Sequence, residues 1–184
     1  MRRMMMKSIS SDKRIKRLIL DSSLVCAALL LSFVEAILPT FALPLPGFKA
    51  GFANIAILFS AFSLSNADAA AVSFVRCIMS FLFFGSPTTL MFSLFGGTFV
   101  IVGLFILKIT KAHKKLSFIG ISVMSALLHN LGQLIAAYIL MGNAVLAYLP
   151  ALLIASLIYG TFTGIVLCAL PTRLYEIFSR YDKV

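Results

Sequence analysis

The run ALLHNLGQLIAAYILM, residues 126–141, carries three strong hydrogen-bonding side chains within five residues of an otherwise apolar stretch: His129, Asn130 and Gln133. Polar groups inside such a segment are costly, and they usually face a cavity or a partner helix. His129 and Gln133 stand at i, i+4 and share one helix face, which Ser122 and Ser125 or Ala126 extend. Asn130 points about 100° away, given about 3.6 residues per turn. The three therefore cannot serve one small point. Either His129 and Gln133 line a cavity while Asn130 bonds a neighbouring helix, or the reverse. The competing reading is interhelical hydrogen bonding alone, worth about 0.6–2 kcal/mol per bond.

Other groups pose the same problem. Arg76 falls near the middle of an apolar stretch and needs a counter-charge, a carbonyl cluster or an anionic ligand. Glu35 is a candidate partner, or it reaches an interface. Lys49 and Asn54 flank a short apolar segment, with Gly47 and Gly51 permitting an irregular loop. That loop is either a lid over a cavity or an ordinary tight connection. Taken as a ligand site, Lys49 and Arg76 favour an anionic or electron-rich molecule, and Asn54, His129, Asn130 and Gln133 supply directional hydrogen bonds. The 17 phenylalanines offer stacking surface.

No enzyme constellation accompanies them. The six acidic residues include no two within a helical turn, which argues against chelated magnesium, diphosphate chemistry and ATP hydrolysis by this chain. A phosphate-cradling loop, a paired-histidine zinc helix and a nucleophile triad are all missing from the sequence. Cys26, Cys77 and Cys168 lie in apolar segments at no metal spacing. The expectation is a non-enzymatic protein with no metal and no cofactor.

The elements that must hold these residues are membrane helices. The 184 residues are 61% hydrophobic and 12% charged, with a mean hydropathy of +1.05, more apolar surface than a soluble domain of this length can bury. Several runs reach about 18–20 residues, enough to cross about 30 Å of hydrocarbon. The alternating ten-residue pattern of a membrane barrel is missing. The expected architecture is an all-α polytopic membrane bundle of six transmembrane helices over 18–170. A basic cytoplasmic segment, 1–17, precedes it and a cytoplasmic tail, 171–184, follows.

The spans are expected near 18–38, 51–65, 69–85, 88–107, 117–141 and 145–170, the first uncleaved and the second short. Asn66 and Asp68 mark an inner turn. The net charge of +10 reads as the positive-inside bias of a multi-pass protein, not as a nucleic-acid surface. Seven basic residues precede the first span, four lysines crowd the 108–115 loop, and Arg173, Arg180 and Lys183 end the chain. Six crossings put every cluster on one side, with both termini cytoplasmic. Small residues recur at Ala28, Ser32 and Ala36 and at Gly160 and Gly164, as packing positions or as a docking face for another membrane protein.

Three stretches resemble a known family: LPLPGFKAGFANIAIL (43–58), FVRCIMSFLFFGSPTTLMFSLFGG (74–97) and LSFIGISVMSALLHNLGQL (116–134). The resemblance is to the Gx transporter, or heptaprenyl diphosphate synthase component I, family and covers nearly all of 18–170. Its most specific elements are Pro-Gly-x-Lys-x-Gly-x-Ala-Asn and His-Asn-x-Gly-Gln. That family is similar to the substrate-binding S components of energy-coupling factor transporters, six-helix bacterial proteins. The resemblance implies a vitamin-like or quinone- or flavin-related ligand near the outer face, a membrane T component and two ATPases. Under it, Lys49, Asn54, Arg76, His129, Asn130 and Gln133 lie within the matching motifs, and Ala28, Ser32 and Ala36 would dock the T component. The alternative is a non-catalytic membrane subunit beside a soluble enzyme of isoprenoid synthesis. A third reading is a carrier driven by ions, with His129 or Glu35 titrating.

Overall fold

The computed structural model describes residues 2–37, 49 and 51–169, with side chains from Ile15 onward. They form six α-helices: α1 (Arg2–Ile37), α2 (Asn54–Ser63), α3 (Asn66–Phe84), α4 (Pro87–Ile109), α5 (Phe118–Met141) and α6 (Leu149–Ala169). Two 3₁₀ turns, Ala112–Lys114 and Asn143–Tyr148, join the last three helices. There is no strand among the described residues. The all-α membrane bundle is what the structure presents.

Local chemistry sets the helix ends. Ser65, Ser86 and Ser117 each accept a hydrogen bond from a first-turn amide, at Asp68, Thr89 and Gly120. Ser86 and Thr89 form a reciprocal capping box with Pro87 in the first turn. Gly142 closes α5 at φ +78°, a conformation open to glycine.

Five helices are long and apolar enough to cross a membrane, and α2 is not. The expected second span of 51–65 contracts to ten residues, about 15 Å at 1.5 Å per residue, half of a hydrocarbon core of about 30 Å. Two further differences concern boundaries. The basic segment and the first span are one continuous helix, Arg2–Ile37. Asn66 and Asp68 lie in the first turn of α3, and the turn itself is at Leu64 and Ser65. The expected outer loop 39–50, apart from Lys49, and the expected tail 171–184 lie outside the described residues.

The short helix is the centre of the bundle. Residues Asn54–Ala61 are all buried, and α1, α3, α5 and α6 pack around them. Its apolar side chains join Val100 and Leu104 of α4 and Ile121 of α5 in the largest core cluster. Outside, the pattern inverts. Leu30, Phe74, Leu82, Phe83, Phe105 and Ile158 face outward, while Ser32, Glu35, Asn54, Arg76, His129 and Gln133 are inside. Water would select the opposite arrangement; hydrocarbon selects this one.

Candidate functional site

The N-terminus of α2, at Ala53 and Asn54, is buried inside the bundle, and a helix end there leaves amides that lipid cannot satisfy. Two groups meet the need. The Phe52 amide donates to the Glu35 carboxylate of α1. Gly51, at φ +90°, turns the chain so that its carbonyl accepts from the Asn54 amide at 2.9 Å. Glu35 is therefore a cap for α2, a role its sequence neighbourhood does not signal. The other end is handled in the same way: Lys108 of α4 donates to the Ala61 carbonyl and lies over the Phe62 ring. An anion at the N-terminus and a cation at the C-terminus both match the helix dipole.

Gln133 fixes the entrance to α2. Its Oε1 accepts from the Lys49 amide, and its Nε2 donates to the Lys49 carbonyl, both at 3.3 Å. The same Nε2 lies 2.6 Å from His129 Nε2. With Gln133 Oε1 occupied as an acceptor, Gln133 Nε2 is the donor in this contact, so His129 Nε2 accepts and the neutral ring carries its proton on Nδ1. The ring is wedged between two glycines. A Cβ on Gly96 would fall 2.6 Å from His129 Nδ1, and one on Gly51 would fall 3.3 Å from His129 Cδ2. His129 and Gln133 thus tie α4, α5 and the approach to α2 together.

Asn130 does something else. Its Nδ2 donates to Ser156 Oγ at 2.7 Å and to the Leu152 carbonyl at 3.4 Å, bonding α5 to α6. Farther along the same interface, Gly160 and Gly164 let α6 approach Val123 and Ile119 of α5 so closely that a Cβ would fall 2.6 and 2.7 Å from their Cα atoms.

Arg76 is 2% exposed, and its partners among the described residues are neutral: Nη1 donates to Ser32 Oγ at 3.1 Å, and Nη2 to Cys77 Sγ at 3.4 Å. Among the described residues it makes no ion pair with Glu35 within salt-bridge distance. Arg76 is bonded to Ser32, one turn from Glu35 on α1, Glu35 accepts from Phe52, and Gln133 bonds both Lys49 and His129, which places the four groups around the approach to α2. Two cations and a helix N-terminus there face one carboxylate.

Several polar atoms in this neighbourhood have no hydrogen-bond partner. They are Arg76 Nε, both side-chain polar atoms of Asn54, Glu35 Oε2 and His129 Nδ1, each on a residue more than nine-tenths buried. Leaving such groups unmet in an apolar interior costs about 1–3 kcal/mol each. Among the described residues no cluster of metal-ligating side chains occurs.

Of the residues expected at a site, Lys49, His129 and Gln133 are in contact, Asn54 and Arg76 are near them, and Asn130 is turned toward α6. The expected docking face divides. Ala28 and Ser32 are wholly buried, the first against Ala56 and Val72 and the second on Arg76, so a partner cannot reach them; Ala36 is exposed. Sequence reasoning missed the capping role of Glu35 and the glycine seat of His129. The Gly-Gly pair at 96–97 and Gly132 within the His-Asn-x-Gly-Gln element were the available signals.

The family model described as heptaprenyl diphosphate synthase component I matches residues 24–170. No curated protein and no solved structure matches the chain.

Proposed function

This chain belongs to the heptaprenyl diphosphate synthase component I family, and from that premise we propose that it is a membrane-embedded binding subunit for a small molecule with an anionic group. The observation that carries the proposal is the half-length helix α2. Its N-terminus lies inside the bundle beside the buried cations Arg76 and Lys49, with unpartnered polar atoms around it. Half-helices that aim their positive ends at an anionic group are a recurrent device of transporters. The binding residues are Arg76, Lys49 and Asn54. His129 and Gln133 hold Lys49 and the start of α2 in place. On this reading the protein is a substrate-binding S component for uptake of a vitamin-like or quinone- or flavin-related molecule. A membrane T component and partner ATPases energise it in the cell membrane, both termini cytoplasmic. Mass spectrometry of small molecules that copurify with the detergent-solubilised chain tests it. A stoichiometric anionic compound lost in Arg76→Gln is expected, and a folded, ligand-free protein that binds no anion would sink it.

A second reading follows from the family description: a non-catalytic membrane subunit beside a soluble enzyme of heptaprenyl diphosphate synthesis. The scarcity of acidic residues supports the non-catalytic part. Affinity capture separates the two, since recovery of transporter ATPases supports the first and recovery of a prenyl synthase subunit supports the second.

A further inference from the structure

Asn54 opens α2 and is 3% exposed, yet neither polar atom of its carboxamide has a hydrogen-bond partner among the described residues. Its backbone amide donates to the Gly51 carbonyl, so the main chain at this point is satisfied and the side chain is not. Exchanging the carboxamide oxygen and nitrogen changes nothing, because both are unmet. Asparagine near a helix start ordinarily caps it, but here the cap position is Ala53, with no side-chain bond. The carboxamide lies over Gly51 beside the His129 ring: a Cβ on Gly51 would fall 3.0 Å from Asn54 Nδ2 and 3.3 Å from His129 Cδ2. That edge of the imidazole offers a carbon, and its Nε2 is taken by Gln133. A donor and an acceptor left unmet side by side in an apolar core are unfavourable until something supplies both partners.

Packing brings Arg76 to the same place. Ala28, Ala56 and Val72 meet in one cluster. Helices α1 and α3 run in one direction, as the Arg17–Asp68 and Ser32–Arg76 contacts show, and α2 runs in the other, since Leu64 and Ser65 alone separate it from α3. One turn beyond the cluster, Ser32, Arg76 and the Phe52–Ala53 entrance to α2 therefore lie at one level. The bonds agree: Arg76 Nη1 donates to Ser32 Oγ at 3.1 Å, and Glu35, three residues past Ser32, accepts from the Phe52 amide. Arg76 Nε and Glu35 Oε2 are unpartnered. The unmet groups at this level are a cationic donor, a carboxylate acceptor and a carboxamide that is both.

Resting on the anion-binding reading above, we propose that the ligand carries a cis-amide edge, as in a lactam, imide or ureide ring, together with its anionic group. Asn54 reads that edge bidentately. Its Nδ2 donates to the ring carbonyl and its Oδ1 accepts from the adjoining N–H, as asparagine reads the donor and acceptor edge of adenine. The anionic group goes to Arg76, and Glu35 Oε2 accepts from a second N–H where the ring has one. A quinone offers carbonyls only and leaves Asn54 Oδ1 unmet, so the site selects a nitrogen heterocycle over it.

The test titrates orotate and benzoate onto the full chain in detergent by isothermal titration calorimetry, with thermal shift beside it. Both probes carry a carboxylate on a flat six-membered ring, and only orotate has the cis-amide edge. Orotate binds at least about tenfold more tightly, because Asn54 gains a partner for its donor and for its acceptor. Asn54→Leu brings the two probes to within about twofold of each other. It leaves the ligand-free chain at least as stable as wild type, since it removes two unmet atoms at similar volume. Arg76→Gln weakens both probes. Equal affinity for the two probes in the wild-type chain overturns the amide edge and leaves the anion site standing. A preference for orotate that survives Asn54→Leu overturns the assignment to Asn54, and so does a ligand-free Asn54→Leu chain that melts well below wild type. A folded chain that binds neither probe overturns the anion site together with the amide edge.

Discussion

Three polar side chains within five residues of α5 perform two separate tasks, and substitution distinguishes them. Asn130 bonds Ser156 and the Leu152 carbonyl of α6. Asn130→Leu therefore lowers thermal stability by an amount equivalent to about 0.6–2 kcal/mol and leaves ligand affinity unchanged. Gln133 instead clasps both backbone polar groups of Lys49. Gln133→Leu releases that clasp and leaves the Lys49 amide and carbonyl unmet, so ligand affinity falls at least about tenfold as the anchor of Lys49 is lost. Titration of copurified ligand back onto the stripped variants measures both effects. An affinity unchanged in Gln133→Leu returns this residue to helix–helix bonding. The shared face of His129 and Gln133 was legible from their i, i+4 spacing, and so was the divergence of Asn130. Their partners were not, because Lys49 is 84 positions from Gln133 and one sequence carries no sign of that contact.

At the scale of the element, α2 is short and buried from Asn54 to Ala61, so its stability depends on groups from other helices. Lys108 supplies one end, where it donates to the Ala61 carbonyl. Lys108→Met leaves that carbonyl without its charged donor and costs about 1–3 kcal/mol, while Lys108→Arg retains most of the stability. Differential scanning fluorimetry of the three proteins decides it, and a Met variant as stable as wild type removes the cap. Gly51 supplies the other constraint. At φ +90°, with Asn54 Nδ2 only 3.0 Å from where a Cβ would fall, Gly51→Ala carries backbone strain of about 1–3 kcal/mol and presses on Asn54. Thermal stability and ligand affinity fall together. The shortness of the second apolar segment was visible in the sequence, as was the irregular Pro- and Gly-rich approach to it. Its central place was not. A ten-residue apolar helix reads the same whether it lies at the edge of a bundle or in its middle. Glu35 and Lys108 read as interface charges until their contacts are known.

At the scale of the whole molecule, the bundle was legible because hydrocarbon imposes one rule on every long segment, apolar outside and backbone satisfied within. The six-crossing pattern is completed by a half-length element, since five helices among the described residues are long enough to span and α2 is not. Arg17, near the middle of α1 and at the start of its apolar stretch Ile15–Ile37, pairs with Asp68 in the first turn of α3, and its guanidinium also reaches Ser65 Oγ at 3.0 Å. The start of that apolar stretch and the start of α3 therefore share one end of the bundle. Helix α2 leads back to that end, where Leu64 and Ser65 join it to α3. From α3 onward the short turns alternate direction, which brings Lys108, the 3₁₀ turn Ala112–Lys114 and Ala169 to the same end as Arg17. Basic residues crowd that end, and from the positive-inside rule we propose that it faces the cytoplasm. The Gly142–Tyr148 connection lies at the opposite end. In intact cells a membrane-impermeant thiol reagent labels Asn143→Cys, whereas Ala112→Cys is labelled only after the membrane is opened. Both are placed in a background with Cys26, Cys77 and Cys168 replaced by alanine. The reverse pattern inverts the orientation. It would point the buried N-terminus of α2, with Arg76 beside it, toward the cytoplasm. A ligand site that opens inward serves a partner that delivers or withdraws its molecule from inside the cell, so this labelling decides between uptake and assistance to a cytoplasmic synthase as well as the fold's sidedness.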